Sequence, residues 1–205
     1  MKNELKLLLV TNYLNWFSAG LLSPLYALFV LSLGGTPVEA GLTLGALYLE
    51  AGILIIAFGK LGDEKVSKRK MVVAGYFLSA IAFASFYFVE SVTHLYFAQF
   101  LNALSIGMLF PAWKAVFSSL EDKGREASEW ALFDGGNYLI WAIASLAAGF
   151  VFNSFGFKGI FLLMAGMQLL GASISLKLLR TQGKANVFVS KNGGKNGRKA
   201  NRKRR

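Results

Sequence analysis

No cysteine occurs in the 205 residues, so there is no disulfide frame and no thiol nucleophile. Histidine occurs once, as His94, at the predicted edge of an apolar run, where it reads as an interfacial residue rather than a ligand. With one boundary His and no Ser–His or paired-Asp constellation, no catalytic group set assembles. The chain is therefore read as a non-enzyme, with no metal and no cofactor. Acidic residues are scarce as well, 11 against 22 Lys and Arg. Proline is found only at Pro24, Pro37 and Pro111.

What is abundant is apolar sequence. Hydrophobic residues make up 55% of the chain and fall into six runs near 7–33, 40–59, 71–89, 95–117, 130–152 and 159–179. Each is about long enough to cross a ~30 Å hydrocarbon core, some with tilt. The first run follows Met-Lys-Asn-Glu-Leu-Lys, is too long for a signal-peptide core and lacks a small-residue cleavage site, so it reads as a retained helix. The fold class is all-α integral membrane, with six crossings. Pro24 predicts a kink in the first helix.

The basic residues set the orientation. The connections at 34–39 and 90–94 contain no Lys or Arg, and the one near 153–158 contains only Lys158. All the others lie at the opposite ends: Lys2 and Lys6, the cluster of Lys60, Lys65, Lys68, Arg69 and Lys70, then Lys114, Lys123 and Arg125, and everything from Lys177 onward. This asymmetry predicts a multi-pass protein of the cell membrane with both termini cytoplasmic. Residues 1–180 form the bundle. From 181 to 205 the composition turns to Gly, Asn, Lys and Arg, which predicts a disordered basic tail. An anchor against anionic lipid is the plainer reading of that tail. Binding to a polyanion such as ribosomal RNA is the sharper one, and the absence of interleaved aromatics tells against nucleic acid.

Polar side chains inside such a bundle face a neighbour or a water-filled cavity. Asn12, Asn15 and Tyr26 fall on one stripe of the first helix. Gln99, Asn102, Ser105 and Trp113 do so on the fourth, and Asp134, Asn137, Trp141 and Ser145 on the fifth. Glu50 sits near the middle of the second. The third and sixth carry little beyond Ser79, Ser85 and Gln168. Helices 1, 2, 4 and 5 are thus expected inside and 3 and 6 outside, with Asn and Gln as interhelical glue the competing explanation. Gly41, Gly45, Gly52 and Gly59 mark one face of the second helix for close approach. Glu50 has no Lys or Arg at its depth, which predicts a protonated or solvated acid bonded to an Asn or Tyr of a facing helix, and a site for a proton or cationic solute.

Three stretches carry a family likeness. Gly59 to Lys70, GKLGDEKVSKRK, resembles the loop between helices 2 and 3 of the major facilitator superfamily, roughly G-x-x-x-D-R-x-G-R-R/K. LYFAQFLNALSIGMLFPAW (95–113) is similar to that family's helix 4, with Gln99 where many proton-coupled members have Arg. EDKGREASEWALFDGG resembles its 4–5 connection, while Ala144-Ser145 stand where antiporters carry Gly-Pro. The resemblance implies one six-helix half of a secondary transporter that moves a small solute by alternating access. It also implies a gating cluster of Gly59, Asp63, Lys65, Lys68 and Arg69, with Glu121 a plausible partner. Because six crossings return the chain to its starting side, two copies insert in parallel and a homodimer is natural. Pairing with a second six-helix protein and truncation of a longer gene remain open. A non-transporting scaffold with a polyanion-binding tail is the alternative function.

Overall fold

The computed structural model describes backbone and side chains for residues 1–64 and 66–179. The basic tail expected from 181, and Lys65 of the gating cluster, lie outside the described residues. All regular structure among the described residues is helical. The elements are α1 (Asn3–Leu22), a 3₁₀ turn (Ser23–Leu25), α2 (Tyr26–Ser32), α3 (Pro37–Glu64), α4 (Lys68–Phe86), α5 (Val92–Leu120) and α6, which among the described residues is Glu126–Leu179. Five segments are long and apolar enough to cross a membrane; the last of them, Glu126–Leu179, is 54 residues long. That segment is two helices meeting at Gly156, whose φ of 63° and ψ of −168° no helix accommodates. Gly is suited to such a conformation because it lacks the Cβ that makes positive φ costly.

Local chemistry explains the boundaries. Pro24 produces the 3₁₀ turn that separates α1 from α2, where the sequence predicts a kink. Thr36 and Glu39 form a capping box at the start of α3. The Thr36 amide donates to Glu39 Oε2 at 2.8 Å and the Glu39 amide to Thr36 Oγ1 at 3.2 Å, with Pro37 in the first helical position. Ser91 caps α5 by accepting from the His94 amide at 3.2 Å. The hairpin read from Gly59 to Lys70 is tighter than expected: α3 runs on through Glu64 and α4 starts at Lys68. No breaker other than Gly62 interrupts Lys60–Glu64, so the helix carries on beyond the apolar run.

In lipid, helices are held by close packing and hydrogen bonds rather than by exclusion from water. The chain does this with small residues. A Cβ on Gly75 would lie 3.0 Å from Leu109 Cα, and one on Gly107 would lie 3.0 Å from the Leu54 carbonyl carbon. These contacts seat α4 and α3 on either side of α5. α1 packs on α6, α4 on α5 and α6, and α3 chiefly on α5, with α2 joining it at one end. Two apolar clusters close the ends. One includes Phe29, Phe86 and Phe161; the other includes Trp113, Phe117 and Phe133 with Trp130 against it.

Burial within this single unit ranks the helices differently from the expected lining set. The third hydrophobic segment, α4, is the most enclosed, with 56% of its most apolar window buried, and the second, α3, is the least, at 17%. Enclosure follows position among neighbours: α4 is wedged between α5 and α6, whereas α3 leans on one helix. Polar residues report a single face of a helix and say nothing about how many neighbours it has.

Candidate functional site

α1 and α3 stay apart along their length and are bridged through α2. Between them lies a cavity of about 520 Å³, floored by α4 and α5. Asn15, Trp16, Ser23 and Tyr26 line it from the first segment, Leu47 and Tyr48 from α3, and Gln99, Asn102 and Ser105 from α5. Trp141 enters from α6, edge-on to Trp16 with ring centroids 5.2 Å apart. Phe83, Phe86 and Phe110 add aromatic surface. No Asp, Glu, Lys or Arg lines it among the described residues.

One end of the cavity carries a chain of hydrogen bonds across three elements. Thr43 Oγ1 donates to the Glu39 carbonyl at 2.8 Å, back along α3. Tyr26 Oη donates to Thr43 Oγ1 at 2.7 Å, and Gln99 Nε2 donates to Tyr26 Oη at 3.0 Å. Gln99 is only 2% exposed and its Oε1 has no partner. The indole Nε1 of Trp16 is also buried without one.

The predicted site residues divide into groups. Asn15, Tyr26, Gln99, Asn102 and Trp141 line the cavity. Asn12 and Asn137 meet each other instead, Asn12 Nδ2 donating to Asn137 Oδ1 at 2.6 Å with both residues buried. Asn15 also accepts from Gln168 Nε2 at 2.7 Å, so one side chain serves both the wall and the helix contact. Trp113 is stacked between Phe117 and Phe133 and borders a small pocket beside Asn12 and Lys114. Asp134 is exposed on α6. Glu50 is half-buried, lies outside the cavity wall, and has one carboxylate oxygen buried without a partner. The Asn or Tyr expected to bond it makes no contact with that oxygen.

The basic cluster is spread over several ties. Lys68 Nζ is 2.8 Å from Asp63 Oδ1 across the α3–α4 turn, in an exposed pair. Arg69 turns the other way: Nη2 is 2.7 Å from Glu4 Oε2, and Nη1 donates to the Leu178 carbonyl at 3.2 Å. Three segments therefore converge on one guanidinium. Gly59 passes Pro111 of α5, and Glu121, at the end of α5, has a buried oxygen without a partner. Lys2 Nζ donates to the Leu120 carbonyl at 2.8 Å and lies 3.7 Å from Asp122. Asp122 is held below the usual carboxylate range, first by its hydrogen bond with the Met1 amine at 3.0 Å and then by the nearby positive charges. Sequence reasoning missed Glu4, Thr43 and Trp16. Glu4 lies outside the apolar runs, and Thr and Trp are ordinary in a membrane helix.

The sequence profile of the Major Facilitator Superfamily matches residues 8–204. The chain belongs to this superfamily. It is 28% identical over 157 residues to the multi-drug resistance efflux pump PmrA of Streptococcus pneumoniae, covering 75% of this chain and 39% of that protein. It is 30% identical over 181 residues to the multidrug resistance protein MdtG of Dickeya zeae, covering 84% and 43% respectively. Among solved structures it is similar to a point variant of the peptide transporter POT in complex with alafosfalin. There the TM-score is 0.77 at 18% identity, over 95% of this chain and 45% of that one. The chain thus spans about two fifths of the length of the curated relatives it matches. At 18% identity the structural likeness shows the fold alone. The superfamily and its named members are transporters and not enzymes, which agrees with the missing catalytic set.

Proposed function

We propose that this chain is one half of a secondary transporter: a six-crossing unit, both ends cytoplasmic, that moves a small solute by alternating access together with a second six-helix unit. The second unit is another copy of this chain or a separate half. The observation that carries the reading is the cavity between α1 and α3, a space of small-molecule size in the middle of a membrane bundle. Two features support the pairing. α3 presents Tyr48, Leu49, Ile53 and Ile56 outward, and α6, whose Trp141 enters the cavity, presents Tyr138, Leu139 and Leu146, so two helices beside the cavity expose apolar surface to a partner. The relatives are also more than twice as long as the matched region. Their names favour export over uptake.

Flux across proteoliposomes tests the reading, with a broad panel of neutral and cationic solutes and with and without a proton gradient. Movement of at least one solute above protein-free vesicles is expected. Flux indistinguishable from empty vesicles for the whole panel, from protein shown to be folded, rejects it.

A further inference from the structure

We propose that Lys114 holds the anionic group of a solute whose flat apolar body lies in the cavity, so that this half takes aromatic molecules carrying a carboxylate or similar anion. The inference rests on the transport reading for its biological meaning, but it is tested by binding alone.

Lys114 continues a row that is already on the cavity wall. Asn102, Ile106 and Phe110 line the space from α5 at steps of four, and Lys114 is the next step. Asn15, Leu109 and Phe110 line both the cavity and the small pocket that Lys114 borders, so the two spaces adjoin. In a helix every Cα–Cβ bond tilts toward the N-terminus. For Lys114 that direction is over Phe110 and toward the cavity, not toward the end of α5. Depth adds to the argument. The middle of Val92–Leu120 is Ile106, and Lys114 lies eight residues further on. At 1.5 Å per residue that is about 12 Å, still inside a hydrocarbon core of ~30 Å. An ammonium at such a depth is costly unless it meets water or a counter-charge.

This half supplies no counter-charge. Lys114 is exposed and makes no ion pair with the described residues, the exposed Asp134 of α6 included. No carboxylate lines either space among the described residues. Asn15 stands at the junction of the two. Its Oδ1 is taken by Gln168 at 2.7 Å, while its Nδ2 bonds nothing and is not buried. An anionic group there accepts from an ammonium and an amide, and charge-assisted bonds of this kind exceed neutral ones. Trp16, Trp141 and Phe83 offer flat apolar surface to the body of the same molecule.

The probes are 2-naphthoate and 2-naphthamide, which share a shape and differ in charge. Binding to the full chain in phosphatidylcholine nanodiscs is read by equilibrium dialysis and corrected with protein-free discs. The wild-type chain should favour 2-naphthoate by about tenfold, the scale of one hydrogen bond to a charged group. Lys114→Gln should abolish that preference and leave 2-naphthamide binding unchanged, which shows the cavity intact. Lys114→Arg should keep it. Lys123→Gln, which removes an exposed charge from the α5–α6 loop, controls for the general pull of a chain with a formal charge of +11 and should also keep it. No preference in the wild type, no binding of either probe, an unchanged ratio in Lys114→Gln, or an equal loss in Lys123→Gln each overturns the proposal. Should Lys114→Gln abolish the preference while no solute, 2-naphthoate included, crosses wild-type proteoliposomes, the subsite stands and the transport reading falls.

Discussion

Arg69 and Lys68 are neighbours in sequence with different roles. Arg69 sits in a partly enclosed tie to Glu4 and the Leu178 carbonyl, its side chain 20% exposed, while the Lys68–Asp63 pair is open to water. Charge-assisted bonds that join separate segments at a partly dry site contribute roughly 1.5–3 kcal/mol, and exposed pairs roughly 0–1. Arg69→Gln should therefore lower the thermal unfolding midpoint in nanodiscs clearly, and Lys68→Gln should leave it almost unchanged. Equal midpoints for the two variants would show that the three-way tie is idle. Glu50 separates function from glue in a similar way. Glu50→Gln keeps the shape and removes the titration. If Glu50 couples a proton, the pH dependence of transport disappears in Glu50→Gln; an unaltered rate and pH profile assigns it to packing. The sequence made part of this scale legible. Helical spacing placed Tyr26, Gln99, Asn102 and Trp141 on faces that do line the cavity. Spacing could not show that Asn12 and Asn137 are consumed by each other, because a stripe identifies a face and not the side chain that meets it.

Helices α3 and α4 both depend on glycine or its neighbours to approach α5. A methyl group at position 107 would press on the Leu54 backbone, which cannot swing aside as a side chain would. Gly107→Ala should destabilise the bundle by about 1–3 kcal/mol, read as a lower unfolding midpoint or faster loss of monodispersity in detergent. Gly41→Ala, where nothing lies within 4 Å, is the control and should be silent. Gly156 behaves differently: open space surrounds it, but its φ of 63° penalises any Cβ. Gly156→Ala should cost about 1 kcal/mol through backbone strain, although no contact is lost. Element identity was plain in the apolar runs, and Pro24 announced its turn. The ends were less clear, since α3 and α4 extend past the hydrophobic stretch on charged residues that are good helix formers.

For the molecule as a whole, the absence of cysteine becomes an experimental asset, because any introduced thiol is unique. Gly45 and Gly52 lie on the uncovered face of α3, each with open space around it. If two copies close the cleft, Gly52→Cys should form a disulfide-linked dimer under mild oxidation in native-like lipid. Phe88→Cys, on an exposed residue after α4, should not. Monomer only, for Gly45→Cys and Gly52→Cys alike, points to a different second half. The pairing was legible as arithmetic, six helices in a family that usually has twelve, and the resemblance assigned the contact between halves to helices 2 and 5. The second crossing from the N-terminus, α3, is the least covered in the structure.

The one-sided support of α3 also has a mechanical consequence. The first segment is laced to α6 by Asn12–Asn137 and by Gln168–Asn15, and pinned by Arg69 at Glu4. α3 has α5 along its length and, at one end, Tyr26 holding Thr43. Under load, α1 and α6 should yield together as a single peak in a single-molecule pulling trace, while α3 peels away alone at lower force. Thr43→Val should weaken that first rupture and leave the larger peak where it was.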